Sequence, residues 1–262
     1  MSRTVQQLFN LEGRTALVTG GSRGLGWQIA QALGEAGAKV MLSSRKAEDL
    51  VQACEALQAQ GIEADWIAAD AGREEDIHRL AQEALARMGQ VDILVNNAGA
   101  TWGAPAEDHP AAAWDKVMNL NVRGYFLLSQ QVGKLSMIPR RQGRILNVAS
   151  IAGLGGNPAF MQTIAYNTSK AAVINFSRAL AGEWGRYNIN VNTICPGFFP
   201  SKMAQGLIDA HGEAMKAGAP LGRLGDDEDL KGIALLFASD AGKHITGQWM
   251  AVDGGVSAVL GS

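Results

Sequence analysis

Short apolar runs alternate along the chain with longer amphipathic segments. The runs, several of them β-branched, are typical of buried strands and cover 15–19, 39–43, 62–68, 91–96, 144–149 and 189–194, and 248–252 could complete the core as a seventh strand. Between them, segments such as 47–60 and 74–88 repeat apolar residues every three or four positions, which predicts amphipathic helices. The pattern therefore predicts an α/β protein.

Regular alternation of strands and helices requires parallel strands joined by right-handed crossovers. We therefore predict a doubly wound Rossmann sheet, mostly parallel, of about seven strands with helices on both faces. No linker or repeat divides the sequence, so 1–262 is predicted to form one domain. Two Gly- and Pro-rich segments, 151–163 and 198–220, follow strands at the carboxyl edge. They are predicted to be substrate loops, the second a possible lid.

Composition narrows the range of partners. The 23 Lys and Arg against 25 Asp and Glu leave a net charge of −2, which argues against nucleic-acid binding. No apolar run approaches the roughly 20 residues of a membrane span, and no export signal is recognisable. Cys54 and Cys195 are far apart and the four histidines are scattered, so neither a disulfide nor a metal site is expected. We expect a soluble, cytoplasmic protein.

A glycine-rich turn, Thr19 to Gly26, follows the first predicted strand and opens a helix that we expect to start near Trp27. Glycines permit positive φ angles and let a pyrophosphate approach the helix N-terminus. A tight turn without a ligand is the simpler alternative. The segment also matches the G-x-S-x-G pattern of a hydrolase nucleophile at Ser22, but almost nothing precedes the first strand to supply an oxyanion donor. A hydrolase is therefore disfavoured.

Tyr166 and Lys170 are four positions apart at the start of a predicted helix that runs to about Trp184. This spacing places both side chains on one helix face. A neighbouring ammonium favours the phenolate and brings a phenol pKa closer to neutrality, which suits acid/base catalysis. The alternative is an ordinary surface pair on an amphipathic helix, so the pair needs support from elsewhere in the chain.

Several motifs recur in one order: the glycine turn, Asn96-Asn97-Ala98-Gly99, Asn121 in the helix beginning near Ala111, Ser150, the Tyr166/Lys170 pair and Pro196-Gly197. Together they resemble the short-chain dehydrogenase/reductase family over essentially the whole chain. The resemblance implies that Tyr166 is the general acid/base and that Ser150 stabilises the substrate oxygen. Lys170 would lower the Tyr166 pKa and hold the nicotinamide ribose, and Asn121 would anchor a water-mediated proton relay.

The interval between Ser150 and Tyr166 is a few residues longer than is common in that family. A longer loop can bulge while its ends stay fixed, so Ser150 remains the candidate. Analogy is, however, a weaker guide to the substrate here.

Residues at the end of the second strand bear on the cofactor. Ser44 stands where an NAD enzyme usually has a carboxylate, Arg45 and Lys46 follow, and Arg23 lies in the glycine turn. Guanidinium groups can bind a 2′-phosphate through charge-assisted bonds, so we predict NADP(H), with an NAD-dependent alcohol dehydrogenase as an alternative. The resemblance implies further cofactor contacts at Thr19, Gly20, Ser22, Gly24, Leu25, Gly26, Asp70, Ala71, Asn97, Ala98, Gly99, Tyr166, Lys170, Pro196, Gly197, Phe199 and Ser201.

The predicted substrate side mixes apolar and polar residues: Trp102, Leu154, Asn157, Phe160, Met161, Phe198, Lys202 and Met203, with Phe199 and His211 nearby. These segments are loosely similar to the gluconate 5-dehydrogenase and 3-oxoacyl thioester reductase subgroups, so the expected substrate is a keto sugar acid or a 3-oxoacyl thioester. A non-catalytic dinucleotide-binding regulator is a second class of function. The family resemblance also implies a homo-oligomer, a tetramer or a dimer, in which 247–262 could form an interface.

Overall fold

A computed structural model describes residues 2–202 and 204–259 of the chain. Its strands form one parallel sheet in the order β3-β2-β1-β4-β5-β6-β7. The strands are β1 (Thr15–Thr19), β2 (Lys39–Ser44), β3 (Ala64–Ala68), β4 (Ile93–Asn96), β5 (Gly143–Val148), β6 (Ile189–Pro196) and β7 (Trp249–Val252). The prediction of a doubly wound parallel sheet is confirmed.

Helices connect successive strands. They are α1 (Val5–Phe9), α2 (Gly24–Glu35), α3 (Ala47–Gln58), α4 (Glu74–Met88), α5 (Ala111–Met118), α6 (Gly124–Val132), α7 (Ile138–Arg140), α8 (Ile164–Trp184), α9 (Gln205–Gly218) and α10 (Lys231–Ala238). Wider π-helical turns at Asn119–Arg123 and Gly133–Met137 join α5, α6 and α7. Within the described residues, no helix is long and apolar enough to cross a membrane.

Both faces of the sheet are covered because the strand residues alternate between two apolar clusters. On β1, Ala16 and Val18 pack with Ile29 and Leu33 of α2, whereas Leu17 belongs to the cluster on the opposite face. Strands buried on both faces appear in the sequence as continuous apolar runs, and this is why the runs could be recognised.

The side of the sheet to which successive strands are added changes between β1 and β4, although all strands stay parallel. The chain moves outward from β1 to β2 and β3, then returns to place β4 on the other side of β1. In open α/β sheets, the loops at the carboxyl ends of such a pair diverge and leave a crevice for a ligand. The glycine turn after β1 and the Asn97–Gly99 segment after β4 both lie at this crevice.

Several boundaries differ from the predictions. Helix α2 begins at Gly24 instead of near Trp27, so the last glycines of the turn belong to its first turn. Strands β3 and β4 begin at Ala64 and Ile93, each two residues after the predicted start. The π-helical turn at Asn119–Arg123 was not predicted.

Candidate active site

Thr19 and Asn97 join the ends of β1 and β4 at the crevice. The backbone amides of Asn97 and Ala98 donate to Thr19 Oγ1 at 3.0 and 3.2 Å, and Thr19 Oγ1 donates to the Val95 carbonyl at 3.2 Å. Asn97 Nδ2 donates back to the carbonyls of Thr19 and Gly20 at 3.0 and 3.2 Å. Both side chains were predicted as cofactor contacts, and the structure shows that they also hold the two strand ends together.

The glycine turn packs against this clamp so closely that side chains would not fit. A Cβ added at Gly20 would lie 2.7 Å from Asn97 Nδ2, and one at Gly26 would lie 2.4 Å from the same nitrogen and from the Gly20 carbonyl oxygen. Gly20 and Gly24 have φ angles of 63° and 56°, in the left-handed region that favours glycine. The turn therefore exposes backbone beside the start of α2, as pyrophosphate binding requires.

Ser201 approaches the glycine turn from the other side of the crevice. A Cβ at Gly24 would lie 4.0 Å from the Ser201 Cβ, and Ser201 Oγ accepts from the Ala204 amide at 3.2 Å. Gly197, which follows β6, packs against Asp253 so tightly that a Cβ there would lie 2.6 Å from the Asp253 Cβ. These two predicted cofactor contacts are therefore placed by the segment after β6.

The end of β2 fits a phosphate-bearing cofactor. Ser44 Oγ is buried and has no hydrogen-bond partner within the described residues, whereas Arg45 and Lys46 are exposed beside it. Arg23 is half-exposed and its guanidinium lies 3.1 Å from the Asp49 carboxylate on α3. The Ser44 hydroxyl, which has no partner among the residues described, can donate a hydrogen bond to an adenosine 2′-phosphate, and the three cations can pair with the charge of that phosphate. Asp49 was not predicted, because its proximity to Arg23 depends on how α3 packs.

Asp70, the predicted adenine-edge residue, lies in the turn after β3. Its Oδ1 accepts from the Gly72 amide at 2.9 Å, and its own amide donates to Asp76 Oδ2 at 2.9 Å. That backbone bond, the largest of several causes, holds the pKa of Asp76 below its ordinary value. The carboxylates of Asp70 and Asp76 thus order the loop, and Ala71 lies between the two residues, Asp70 and Gly72, that the first of these bonds joins.

Tyr166, Lys170 and Ser150 meet at the carboxyl end of β5. Helix α8 begins at Ile164 and places Lys170 Nζ 5.5 Å from the Tyr166 ring centroid. Lys170 is 3% exposed, and its Nζ donates to the Val148 carbonyl at 2.7 Å. Ser150 follows β5, is buried, and accepts from the Ala152 amide through Oγ at 3.1 Å. The three residues predicted from the motifs are thus brought together.

Burial dominates the proton affinities of this group. It lowers the pKa of Lys170 to about 8, because the charged ammonium loses its hydration. It also raises the pKa of Tyr166, and the Ser150 hydroxyl acts in the opposite direction. Without cofactor, the pKa of Tyr166 is therefore raised, because burial is the largest contribution. The opposite direction was expected from the sequence, since a neighbouring Lys170 ammonium lowers a phenol pKa.

Two residues that the motifs did not identify lie against Lys170. Tyr125 on α6 is buried, places its ring centroid 5.6 Å from Lys170 Nζ, and donates through its hydroxyl to the Val148 carbonyl at 3.2 Å. Burial raises the pKa of the Cys195 thiol to about 12, while the nearby Lys170 lowers it. No local sequence pattern singles out either residue, because their proximity to Lys170 depends on how α6 and β6 pack.

Asn121 lies in the π-helical turn between α5 and α6 and is fully buried. Its Oδ1 accepts from the Ala100 amide at 2.8 Å, and its Nδ2 donates to the Ala100 carbonyl and to Ser169 Oγ, each at 2.9 Å. A Cβ at Gly99 would lie 3.3 Å from Asn121 Oδ1 and 3.6 Å from Lys170 Nζ. The segment after β4 therefore brings Asn121 to the Tyr166/Lys170 helix.

A row of buried polar side chains lies behind the site. Asn96 Nδ2 donates to Asn147 Oδ1 at 2.8 Å and to Ser129 Oγ at 3.0 Å, and Asn147 Nδ2 donates to Ser177 Oγ at 2.8 Å. These bonds tie β4 and β5 to α6 and α8. Buried polar groups are costly unless they are paired, so the network specifies one arrangement of the elements that carry the site.

The predicted substrate residues are dispersed over the segment after β4 and the two substrate loops. Trp102 and Phe160 are exposed, and the Phe160 ring lies 4.8 Å from the His211 ring of α9. Leu154 packs against the small cluster around Tyr125, and Lys202 is exposed. Phe199 was expected near the substrate side, but its side chain is buried in the core and does not line that side. Phe198 is half-buried, and Met203 lies outside the described residues.

Comparison with known proteins agrees with this geometry. A family model described as enoyl-(acyl carrier protein) reductase matches residues 20–257. The chain belongs to the short-chain dehydrogenase/reductase family. The predictions of this family and of an enzyme of the dehydrogenase/reductase type are confirmed.

Individual relatives of this short-chain dehydrogenase/reductase cover nearly its whole length. A rhamnolipids biosynthesis 3-oxoacyl-[acyl-carrier-protein] reductase from Pseudomonas aeruginosa is 42% identical over 94% of this chain and 97% of its own. A gluconate 5-dehydrogenase from Gluconobacter oxydans is 35% identical over 97% and 98%. A crystal structure of a gluconate 5-dehydrogenase from Burkholderia cenocepacia in complex with NADP and tartrate has a TM-score of 0.93 at 32% identity, covering 98% of this chain and 100% of that chain.

Proposed function

We propose that the protein interconverts a ketone and a secondary alcohol with NADP(H). The observation that carries this proposal is the meeting of Tyr166, Ser150 and buried Lys170 at the carboxyl end of β5, at the same sheet edge as a glycine turn with no space for side chains. NADP(H) supplies or accepts the hydride when it is bound. The chain's own residues then have to orient the carbonyl compound and move one proton.

Tyr166 is the proposed proton donor to the carbonyl oxygen in reduction and the acceptor in oxidation. Burial raises the pKa of its phenol, which keeps the proton on Oη until an oxyanion develops nearby. Ser150 donates a hydrogen bond to the same substrate oxygen and stabilises its charge. Lys170 holds the ribose, and its ammonium favours the phenolate that remains after proton transfer. Asn121 anchors the water that reconnects Lys170 with solvent.

We propose a preference for NADP(H) over NAD(H). The orphaned Ser44 hydroxyl and the cations Arg23, Arg45 and Lys46 support it, because a 2′-phosphate would satisfy the hydroxyl and pair with the charges. The NADP in the Burkholderia cenocepacia structure also supports it. An NAD-dependent alcohol dehydrogenase is the alternative, and Asp49 near Arg23 is the feature that favours it.

Initial rates with purified protein test the reaction. We expect NADPH to be consumed faster than NADH against a panel of 5-ketogluconate, a 3-oxoacyl thioester, a 1,2-dione and an aryl ketone. Tyr166→Phe removes only the hydroxyl and is expected to lower kcat by about 10² to 10⁴. Tight NADPH binding without turnover of any of these compounds would instead favour the non-catalytic regulator.

We also propose that the protein assembles into a homo-oligomer in the cytoplasm. Phe126 and Leu135 are 45% and 39% exposed on the helical segment after Asn121, and Trp249 and Met250 are 38% and 48% exposed on edge strand β7. Exposed apolar clusters of this kind are typical of interfaces. Sedimentation equilibrium of the wild type and of Phe126→Glu would show whether a dimer or tetramer forms and whether this surface is used.

A further inference from the structure

A cavity of about 320 Å³ lies beside the catalytic helix, between residues 104–107 and 156–164. It is within the size range of small-molecule sites. The first segment follows β4 and the second follows β5, so both belong to the carboxyl edge of the sheet. The Ala104 amide donates to the Gln162 carbonyl at 2.9 Å and fixes the two walls relative to each other.

The cavity is lined by residues on either side of the proposed proton donor in the chain. Ile164 and Asn167, in the first turn of α8, belong to its lining and flank Tyr166. The loop that forms the opposite wall connects Ser150 to Tyr166. A substrate whose carbonyl lies at Tyr166 and Ser150 can therefore extend a remote arm into this cavity.

The walls suit an apolar arm. Asn157 Nδ2 donates to Thr163 Oγ1 and to Asn167 Oδ1, each at 3.0 Å, and the Thr163 hydroxyl donates to Asn167 Oδ1 at 2.9 Å. Because these three side chains bond to one another, the surface left for a ligand is supplied largely by alanine, proline, methionine and isoleucine side chains, with the exposed Gln162 as a further polar residue. Glu107 is the one charged lining residue in the part of the chain that the structure describes, and its carboxylate repels anions.

We propose that this cavity binds the alkyl chain of the substrate and that the protein reduces medium-chain 3-oxoacyl thioesters in preference to keto sugar acids. The inference rests on the proposed ketone/alcohol reaction. A sugar acid would place most of its hydroxyl groups against apolar walls and would bring its carboxylate near that of Glu107. An alkyl chain leaves no polar group without a partner and gains the burial of its methylene groups.

A chain-length series tests the inference. The probes are N-acetylcysteamine thioesters of 3-oxobutanoate, 3-oxooctanoate and 3-oxodecanoate, with 5-ketogluconate for comparison, all with NADPH. Complete burial of one methylene corresponds to about a fourfold gain in kcat/KM, and partial burial to about twofold. We therefore expect the ten-carbon thioester to exceed the four-carbon thioester by at least about fiftyfold and to exceed 5-ketogluconate as well.

Ala159→Trp fills the cavity, and Ala112→Trp is the matched control on an exposed position of α5 outside the lining. We expect Ala159→Trp to reduce the ratio of ten-carbon to four-carbon kcat/KM about tenfold, with the unfolding temperature nearly unchanged. Ala112→Trp should preserve the series. A flat series, faster 5-ketogluconate reduction or an equal effect of both variants would overturn the cavity assignment while turnover itself persists. Failure of every ketone to react would instead overturn the proposed function.

Discussion

The crevice between β1 and β4 and the two substrate loops lie at the same sheet edge but are held in different ways. In the crevice, Thr19, Asn97 and Asn121 each use several hydrogen-bonding atoms on neighbouring backbone. In the first loop, Phe160 is largely exposed and contacts α9 through one ring pair. The side chains of the crevice are thus fixed in position by several hydrogen bonds each. The side chains expected to contact the substrate have few contacts that fix their positions.

This difference explains what each region can reveal. A buried polar residue needs a defined partner, so its identity reports the local geometry and hence the reaction type. An exposed loop residue can change without loss of the fold, so its identity reports a particular substrate and transfers poorly between relatives. Variants that contrast the two regions can break or sharpen this comparison.

The largest contrast is expected between two glycines. Gly26→Ala places a Cβ 2.4 Å from Asn97 Nδ2 and from the Gly20 carbonyl oxygen, whereas a Cβ at Gly155 in the first substrate loop meets nothing within 4 Å. Overpacking of this severity costs about 3 kcal/mol of unfolding free energy. Urea denaturation should therefore show a large loss for Gly26→Ala and almost none for Gly155→Ala. Similar midpoints for the two variants would contradict the rigid crevice.

A smaller contrast is expected between two asparagines. Asn147→Ala leaves one donor of Asn96 and one acceptor site of Ser177 unpaired in the buried network, which costs about 2 kcal/mol. Asn157→Ala in the loop breaks bonds to Thr163 and Asn167, but these groups are only half-buried and water can replace the lost partner. Its cost should remain below about 1 kcal/mol. Equal destabilisation in urea would show that the loop is as constrained as the core.

The features that the sequence predicted and those that it missed differ in a similar way. The strand runs predicted the sheet because strands buried on both faces are continuously apolar. The four-residue spacing of Tyr166 and Lys170 predicted that both lie on one helix face, whereas Ser150 was found only through the family resemblance. Asp49 and Tyr125 were missed, since each acquires its role from helix packing that no local pattern records. The π-helical turn at Asn119–Arg123 was missed as well.

The titration of Lys170 is expected to have an intermediate effect on stability. Burial lowers the pKa of Lys170 to about 8 from an ordinary value of 10.5, so at neutral pH the folded state contains an unfavourable charge. That cost is present below about pH 8 and is relieved as the pH rises from about 8 to 10.5, because the unfolded chain then binds more protons than the folded one. Between pH 7 and pH 9, the relief is on the order of 1 kcal/mol.

Lys170→Met removes the charge and isolates this contribution. The variant should be more stable than the wild type at pH 7 without cofactor, and its advantage should shrink by pH 9 in thermal unfolding. Lys134→Met on the same side of the sheet, at an exposed position, serves as the control and should show no such trend. A pH-independent difference for Lys170→Met would mean that the ammonium is hydrated in the folded protein.

The smallest predicted effect concerns the adenosine end of the crevice. Asp49 pairs with Arg23 at 3.1 Å, and a 2′-phosphate would have to compete with its carboxylate for the guanidinium. Exposed ion pairs contribute about 0.2–1 kcal/mol, so Asp49→Asn should tighten NADPH binding by up to about fivefold. NADH carries no 2′-phosphate, and its dissociation constant should change less. Fluorescence titration of both nucleotides measures the two constants.

Glu48→Gln is the matched control, because Glu48 lies next to Asp49 in the first turn of α3 and has the same charge. If only the general field of α3 matters, both variants should tighten NADPH binding equally. If the Arg23 contact matters, Asp49→Asn should exceed Glu48→Gln, and the difference should disappear in an Arg23→Met background. Weaker NADPH binding in Asp49→Asn would mean that the carboxylate positions Arg23 for the phosphate instead of competing with it.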